Sequence, residues 1–209
     1  ATVYGETEEE CVTELTPLGI PLNPYGHTKS LGEQILKSGT HSFKTILLRY
    51  FNPVGAHPSA KIGELPNGIP NNLVPYITQT AAHLREKITV FGSDYNTRDG
   101  SCIRDFIHVV DLAEAHVAAL KYSDQMSQPV DVFNVGTGEG NTVLELLNTF
   151  EEVNNVKLNY EIGPRREGDI KAIYTSTTKI NSILKWEARF SLKDSMKHSW
   201  EWEKKFRGI

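Results

Sequence analysis

The sequence is poor in cysteine and has no apolar run long enough to cross a membrane. Cys11 and Cys102 are the only two cysteines in 209 residues. They lie far apart, and neither has a Cys or His at metal-ligand spacing, so neither a disulfide framework nor a zinc site is indicated. The 22 basic and 26 acidic side chains are mixed along the chain and give a formal net charge of -4, which leaves no extended basic surface for nucleic acid or anionic lipid. We therefore expect a cytoplasmic globular protein with two free thiols.

The first five residues, ATVYG, are typical of the end of a β-strand that enters a turn at Gly5. Position 1 is not methionine, and no earlier segment could pair with such a strand. We therefore expect this chain to be the later part of a longer protein.

Capping residues and hydrophobic patterning indicate alternating helices and strands. Asn23 and Pro24 are an N-cap amide and a proline at the first helical position, which predicts a helix from 24 to about 38. The short β-rich run KTILLRY over 44–50 predicts a buried strand. Other predicted helices start at the Asn71-Asn72 cap, with apolar positions through Leu84, and cover 110–122, 142–154, 177–184 and 192–206; other strands cover 88–92, 130–135 and 157–162. This alternation is typical of the α/β class with parallel pairing.

Tyr25 and Lys29 are four residues apart in the first predicted helix, so their side chains share one helix face and can act on the same ligand. An adjacent ammonium favours the phenolate form of a tyrosine, which can then act as a base. This spacing is common on helix surfaces and does not by itself assign a function.

The surrounding motifs are more specific. The string NPYGHTKS (23–30) follows ATVYG by about twenty residues, and the chain closely resembles the extended short-chain dehydrogenase/reductase family, within it the UDP-glucose 4-epimerases. The resemblance covers nearly the whole chain, and its other motifs are LLRYFNPVGA (47–56), GIPNNL (68–73), RDFIHVVDL (104–112) and RREGD (165–169).

The resemblance implies the C-terminal half of an NAD-binding, Rossmann-type doubly wound parallel sheet, plus a smaller α/β substrate-binding domain. Residues 1–55 would be the remaining part of the dinucleotide-binding domain. Residues 56–209 would mainly bind the nucleotide sugar, with about 105–155 returning to the Rossmann domain. The family's glycine-rich turn would lie upstream of Ala1, so this fragment alone is expected to bind NAD poorly and to be inactive. A homodimer is also implied.

In the family, a tyrosine takes the proton of the sugar 4-hydroxyl while hydride passes to NAD, and the 4-keto sugar then rotates and takes the hydride back. Tyr25 matches this tyrosine and Lys29 its partner lysine. Tyr50 and Phe51 match positions beside the nicotinamide. The family's catalytic Ser or Thr would precede Ala1, and Thr2 is the nearest hydroxyl on that segment, where it could contact the sugar.

The remaining matches imply a site for a UDP-sugar. Arg104 and Arg166 match arginines that clamp the diphosphate, for which a guanidinium is well shaped. Asp169 matches the acceptor for the ribose hydroxyls. Asn52, Asn71, Asn72 and Leu73 match sugar or diphosphate contacts, and Thr89, Val90 and Phe91 match the strand whose backbone holds uracil.

Other tempting residues have simpler interpretations. His108 precedes a helix and is expected to be a structural hydrogen-bonding residue, and His27 is expected to be exposed. The turn GTGEG (136–140) resembles a phosphate loop, but in the family it is a turn after a late strand and is not the cofactor fingerprint. Ile173 matches a position whose size is linked to acceptance of N-acetylated sugars, and an intermediate aliphatic leaves that preference open.

Two kinds of alternative remain, a different NAD-dependent enzyme that modifies UDP-sugars and a protein without catalytic activity. A nucleotide-sugar 4,6-dehydratase shares the Tyr and Lys but normally carries Asp-Glu where Ala1-Thr2 stands here. A sensor of sugar nucleotide or NAD could keep the fold without the chemistry. The intact motif residues argue against it: Tyr25, Lys29, Arg104, Arg166 and Asp169.

Overall fold

The structure is a computed structural model that describes residues 1–21, 23–39 and 42–209. It is an α/β fold. The helices are α1 (Pro24–Lys37), α2 (Leu73–Ala81), α3 (Val109–Ser123), α4 (Val143–Asn154), α5 (Thr178–Leu184) and α6 (Leu192–Arg207). The strands are β1 (Cys11–Val12), β2 (Thr45–Tyr50), β3 (Asn52–Val54), β4 (Ile88–Phe91), β5 (Ile103–Arg104), β6 (Phe106–His108), β7 (Val130–Val135), β8 (Asn141–Thr142), β9 (Tyr160–Gly163) and β10 (Ala172–Thr175). Within the described residues, no helix has the length and apolar character needed to span a membrane.

Parallel pairing dominates the sheets, as the alternation of helices and strands predicts. The longest ladder joins β2 to β7, from Thr45 opposite Val130 to Tyr50 opposite Val135. β3 pairs with β6 and β4 pairs with β9, both parallel. A further sheet has the order β1, β10, β5, β8, in which β8 runs antiparallel to β5. Because β2 continues into β3, the chain after the first helix crosses from one ladder to the next at Phe51.

Local capping chemistry explains where the helices begin. The Asn23 side chain accepts a hydrogen bond from the amide of Gly26 at 2.8 Å, and Pro24 opens α1. Thr142 and Glu145 form a reciprocal capping box at the start of α4. Apart from shifts of one residue at some of their ends, the predicted helices other than α2 are confirmed.

The prediction of a strand end at ATVYG is wrong. Thr2–Tyr4 form a 3₁₀ turn, in which the amide of Tyr4 donates to the carbonyl of Ala1 at 3.0 Å. Val3 and Tyr4 are both buried in one cluster with Val12. Consecutive strand residues point to opposite faces, so an extended backbone would direct these two side chains away from each other and not into one cluster.

Two further predictions need correction. The second predicted helix ends at Ala81, because His83 adopts a positive φ of 56°, and Leu84 lies beyond it with 54% of its surface exposed. The short strands β1, β3, β8 and β10 were not predicted. Each has two to four residues, too few for a hydrophobic pattern to distinguish strand from loop.

The buried apolar side chains form three clusters. The first joins α2, β4, α4 and α6; the second joins β7, α3 and α5; the third holds Val3, Tyr4, Val12, Phe51 and Ile173. Helix α3 and strand β7 thus pack in a different cluster from α4, although all three lie within about 105–155. The division of the chain into two domains stays a prediction.

Candidate active site

Two adjoining cavities contain all of the site residues named from the sequence. The tyrosine cavity, which contains Tyr25, has a volume of about 760 Å³. The β4 cavity, bordered by Thr89–Phe91, has a volume of about 540 Å³. Asn52, Asn72 and Arg104 line both cavities and so mark the junction between them. Both volumes lie in the range of about 300–1,000 Å³ typical of small-molecule sites.

The tyrosine cavity receives Tyr25 and Lys29 from the first two turns of α1. The Lys29 ammonium lies 5.1 Å from the centre of the Tyr25 ring. The Tyr25 side chain is 63% exposed, so its hydroxyl is accessible to a ligand. Gly26 lies between them in a tight space, since a Cβ there would be 2.8 Å from the Cβ of Pro21. A side chain at position 26 would therefore displace the start of this helix.

The same cavity is bordered by the residues expected beside a nicotinamide. Tyr50 is partly exposed at the end of β2, with its ring centre 5.7 Å from that of His116. Phe51 is buried in the third cluster. Thr2 and Ile173 also line this cavity. Tyr50 can therefore contact a ligand directly, whereas Phe51 forms part of the wall behind it.

The junction residues differ in how they are held. Asn52 is fixed by its backbone, which donates to the carbonyl of Asp105 at 2.9 Å. Asn72 is at the N-cap position of α2, but its side chain does not cap the helix. It donates instead to the carboxylate of Glu64 at 2.7 Å. The predicted side-chain cap by Asn72 is therefore wrong, because Glu64 is within reach and holds the amide group.

The β4 cavity combines the edge of a strand with charged groups. β4 pairs with β9 on one side only among the residues that the structure describes. Arg104 forms an ion pair with Asp169, and both side chains are largely buried. Arg166 is exposed on the same loop as Asp169. The remaining predicted residues of this cavity are Asn71, Leu73, Thr89, Val90 and Phe91.

The glycine turn after β7 has its amides occupied by a carboxylate of the chain itself. Asp105 accepts from the amide and hydroxyl of Thr137, both at 2.8 Å, and from the amide of Gly138 at 3.1 Å. Burial raises the pKa of Asp105, and these hydrogen bonds oppose that rise. This geometry is consistent with the expectation that the turn is not the cofactor fingerprint.

The expected roles of the two histidines are confirmed. His108 is fully buried, and its Nδ1 accepts the amide of Val110 at 3.0 Å as the N-cap of α3. His27 is exposed on α1.

Sequence reasoning missed several residues that line or support the site. Glu33 and Arg49 line the tyrosine cavity, and Glu64 holds Asn72. Arg49 could have been noticed, because a charged residue inside an apolar strand needs a buried partner. Glu64 gave no comparable signal, since its contact depends on how a loop folds back on α2.

Comparison with known proteins agrees with this geometry. Residues 1–136 match the model of the NAD dependent epimerase/dehydratase family. UDP-glucose 4-epimerase 4 of Oryza sativa subsp. japonica is 47% identical over 98% of this chain and 56% of its own length. UDP-glucose 4-epimerase of Bacillus subtilis is 48% identical over 97% of this chain and 60% of its own length. This chain thus spans less than two thirds of the length of either relative.

Solved structures give the same result. UDP-glucose 4-epimerase from Stenotrophomonas maltophila, with bound NAD and formylated UDP-arabinopyranose, superposes with a TM-score of 0.94 at 43% identity, covering 100% of this chain and 63% of that one. The enzyme from Bifidobacterium longum, in complex with NAD+ and UDP, gives 0.92 at 44% identity, covering 98% and 62%. The observed α/β fold with parallel sheets matches these proteins. The chain belongs to the NAD dependent epimerase/dehydratase family.

Proposed function

We propose that the whole protein interconverts UDP-galactose and UDP-glucose, using NAD as its cofactor. The observation that supports this proposal most is that the residues matching the family's motifs line two adjoining cavities. Tyr25 and Lys29 lie in one cavity, Arg166 and Asp169 lie in the other, and Arg104 borders both. A UDP-sugar has its reacting hexose and its uridine at opposite ends of a diphosphate, and this arrangement can accommodate both ends at once.

The tyrosine cavity fits the nicotinamide half of the cofactor. Lys29 is exposed and can donate to ribose hydroxyls, and the partly exposed Tyr50 provides an aromatic wall. In the glycine turn, the amides of Thr137 and Gly138 donate to Asp105 and so are not available to the cofactor's phosphates. When bound, NAD supplies a reversible hydride acceptor next to the sugar.

The chain's own residues would handle the proton and the sugar. Tyr25 would accept the proton of the 4-hydroxyl, because its side chain is exposed to the cavity and Lys29 lies close to its ring. The Lys29 ammonium would stabilise the negative charge that develops on the Tyr25 oxygen as the proton moves. Thr2 lines the same cavity and could contact the sugar. Proton transfer and return would therefore take place at one oxygen, the hydroxyl oxygen of Tyr25.

The β4 cavity would hold the nucleotide. Arg104 and Arg166 would bind the diphosphate, and Asp169 the ribose hydroxyls. In the structure Arg104 and Asp169 pair with each other, so nucleotide binding would exchange that ion pair for contacts to phosphate and ribose. Among the described residues β4 has a sheet partner on one side only, so backbone groups at Thr89–Phe91 on its other edge could contact uracil.

Replacing Arg104 with lysine is expected to weaken UDP binding by about tenfold, or about 1.4 kcal/mol. Lysine keeps the charge but loses the planar fork that binds two oxygens at once. Isothermal titration of the whole protein with UDP measures this. Arg98→Lys is the matched control, because Arg98 pairs with Glu145 and lines neither cavity. If both variants bind UDP with equal affinity, the proposed contact of Arg104 with the diphosphate is wrong.

Turnover of UDP-galactose by the whole protein with NAD tests the proposed activity. We expect UDP-glucose as the product, detected by chromatography or NMR. UDP-galactose left unchanged contradicts the proposal. A 4-keto-6-deoxy product would instead assign a 4,6-dehydratase, and NAD binding without turnover would assign a sensor.

We also propose that the whole protein is a cytoplasmic homodimer. The resemblance supports the dimer, and the two free cysteines support a reducing compartment.

A further inference from the structure

Helix α1, which carries Tyr25 and Lys29, has little apolar attachment to the rest of the described chain. Gly26 and Glu33 are its only buried residues among those described. Leu31 and Ile35 are 57% and 63% exposed. Apolar packing within the described chain therefore does little to fix how far α1 is rotated about its axis.

A buried ion pair instead attaches α1 to strand β2. Glu33 lies four residues, about one helical turn, after Lys29. Arg49 in β2 donates from Nε to Glu33 Oε1 and from Nη2 to Oε2, both at 2.7 Å. The two side chains are 5% and 9% exposed. Two parallel hydrogen bonds between planar groups fix the relative orientation of the groups as well as their distance. This pair therefore constrains the rotation of α1 about its axis and its position along that axis.

Arg49 is itself held in place from the other side. Its Nη1 donates to the hydroxyl of Tyr4 at 3.0 Å, and that hydroxyl donates to Asn134 Oδ1 at 2.6 Å. Tyr4 is fully buried. The network thus connects α1 to β2, to β7 and to the 3₁₀ turn that carries Thr2. Arg49 also directly precedes Tyr50, so strand β2 positions both the arginine that holds α1 and the tyrosine that lines the cavity.

Both members of the pair remain charged at neutral pH. Burial alone would raise the pKa of Glu33, but hydrogen bonds from Arg49 and Lys37 hold it below its ordinary value. Burial would lower the pKa of Arg49, but its bonds to Glu33 and Tyr4 keep it above its ordinary value. The contact is therefore a full ion pair, and a shorter side chain at either position can keep it only if the helix or the strand moves.

We propose that Glu33 and Arg49 are positioning residues for the reaction, because their ion pair sets the rotation of α1 and thereby the location of Tyr25 and Lys29. This inference rests on the proposed function. Both residues line the tyrosine cavity, but their charged groups bond to each other, so each would act through the helix and not on the sugar. A displacement of about 1 Å in a reacting group can cost about 10²-fold in rate.

Glu33→Asp in the whole protein tests this, because aspartate keeps the charge but shortens the side chain by one methylene. We expect kcat for UDP-galactose to fall by about 10–10²-fold, while KM changes less than about twofold. Arg49→Lys, which keeps the charge and loses the fork, is expected to behave in the same way. Lys37→Met is the matched control. Lys37 contacts the same carboxylate from the exposed side and lines neither cavity, so its kcat should stay within about twofold of wild type.

Amide hydrogen exchange on the same proteins distinguishes a failure of this inference from a failure of the proposed function. Faster exchange of α1 in Glu33→Asp than in Lys37→Met is expected, whether or not the wild type turns over UDP-galactose. An active wild type with unchanged kcat in Glu33→Asp and Arg49→Lys overturns the inference, even if both variants melt at lower temperature. If the wild type is inactive, equal α1 protection in Glu33→Asp and Lys37→Met overturns it. If Glu33→Asp fails to fold, Arg49→Lys decides by the same measurements.

Discussion

Replacing Tyr25 with phenylalanine in the whole protein is expected to lower kcat for UDP-galactose by about 10²–10⁴-fold. The substitution removes the oxygen that would take the proton and leaves the ring over which the Lys29 ammonium lies. Binding of UDP should change less than about twofold, because the diphosphate and ribose contacts proposed for Arg104, Arg166 and Asp169 are untouched. Turnover assays and titration with UDP measure the two quantities separately.

Tyr160→Phe is the control for this change. Tyr160 is a partly exposed tyrosine on β9 that lines neither cavity, so it should leave both turnover and binding near wild type. A Tyr25→Phe protein that retains most of its kcat would exclude Tyr25 as the base. A loss of UDP affinity equal to the loss of kcat would instead indicate that the substitution disturbs the cavity as a whole.

The helices and the longer strands could be predicted because their signals are local. The Asn23-Pro24 start of α1 and the run over 44–50 depend on capping and on a compact apolar pattern. β10 has no such signal. Ala172–Thr175 is a strand because it pairs with β1 on one edge and with β5 on the other. β1 is about 160 residues and β5 about 70 residues away in sequence, so the pairing depends on the complete fold.

The site residues were assigned by resemblance, because the spacing of Tyr25 and Lys29 alone is common on helix surfaces. The structure adds the contacts that these residues make with one another and with their neighbours. Arg104 and Asp169, given separate roles from sequence, are in contact with each other. Asn72, interpreted as a possible cap, is held by Glu64. Such contacts depend on side-chain packing between segments that are distant in sequence, which no pattern in a single sequence reports.

His108 joins three elements and would be costly to protonate. Its Nδ1 accepts the amide of Val110, so the proton of the neutral ring is on Nε2 and donates to His198 Nδ1 at 3.1 Å. Its ring stacks on Phe190 with the centres 4.2 Å apart. Adding a proton at Nδ1 would break the cap of α3. Burial, with the nearby charges of His198 and His57 opposed by Asp194, lowers the pKa of His108 to about 4.

Acid is therefore expected to destabilise the fold through His108. A histidine whose folded-state pKa is below its unfolded value of 6.5 gains a proton on unfolding, so the unfolded state binds more protons between pH 6.5 and about 4. The free energy of unfolding should fall as the pH falls through that window. At about 1.4 kcal/mol per pKa unit, the loss attributable to His108 is about 3 kcal/mol. The lowered pKa of His198 adds to the loss with the same sign.

His108→Asn separates this effect from general acid sensitivity. The amide oxygen of asparagine can still cap α3, but asparagine does not titrate. The variant should be less stable at pH 7, because the ring that packs on Phe190 is lost. Its further loss between pH 6.5 and pH 4 should be smaller than that of the wild type by about 3 kcal/mol, measured by urea unfolding. His27→Asn, at an exposed position of α1, should keep the wild-type pH dependence. An unchanged slope in His108→Asn would mean that carboxylates, and not this buried ring, govern the response to acid.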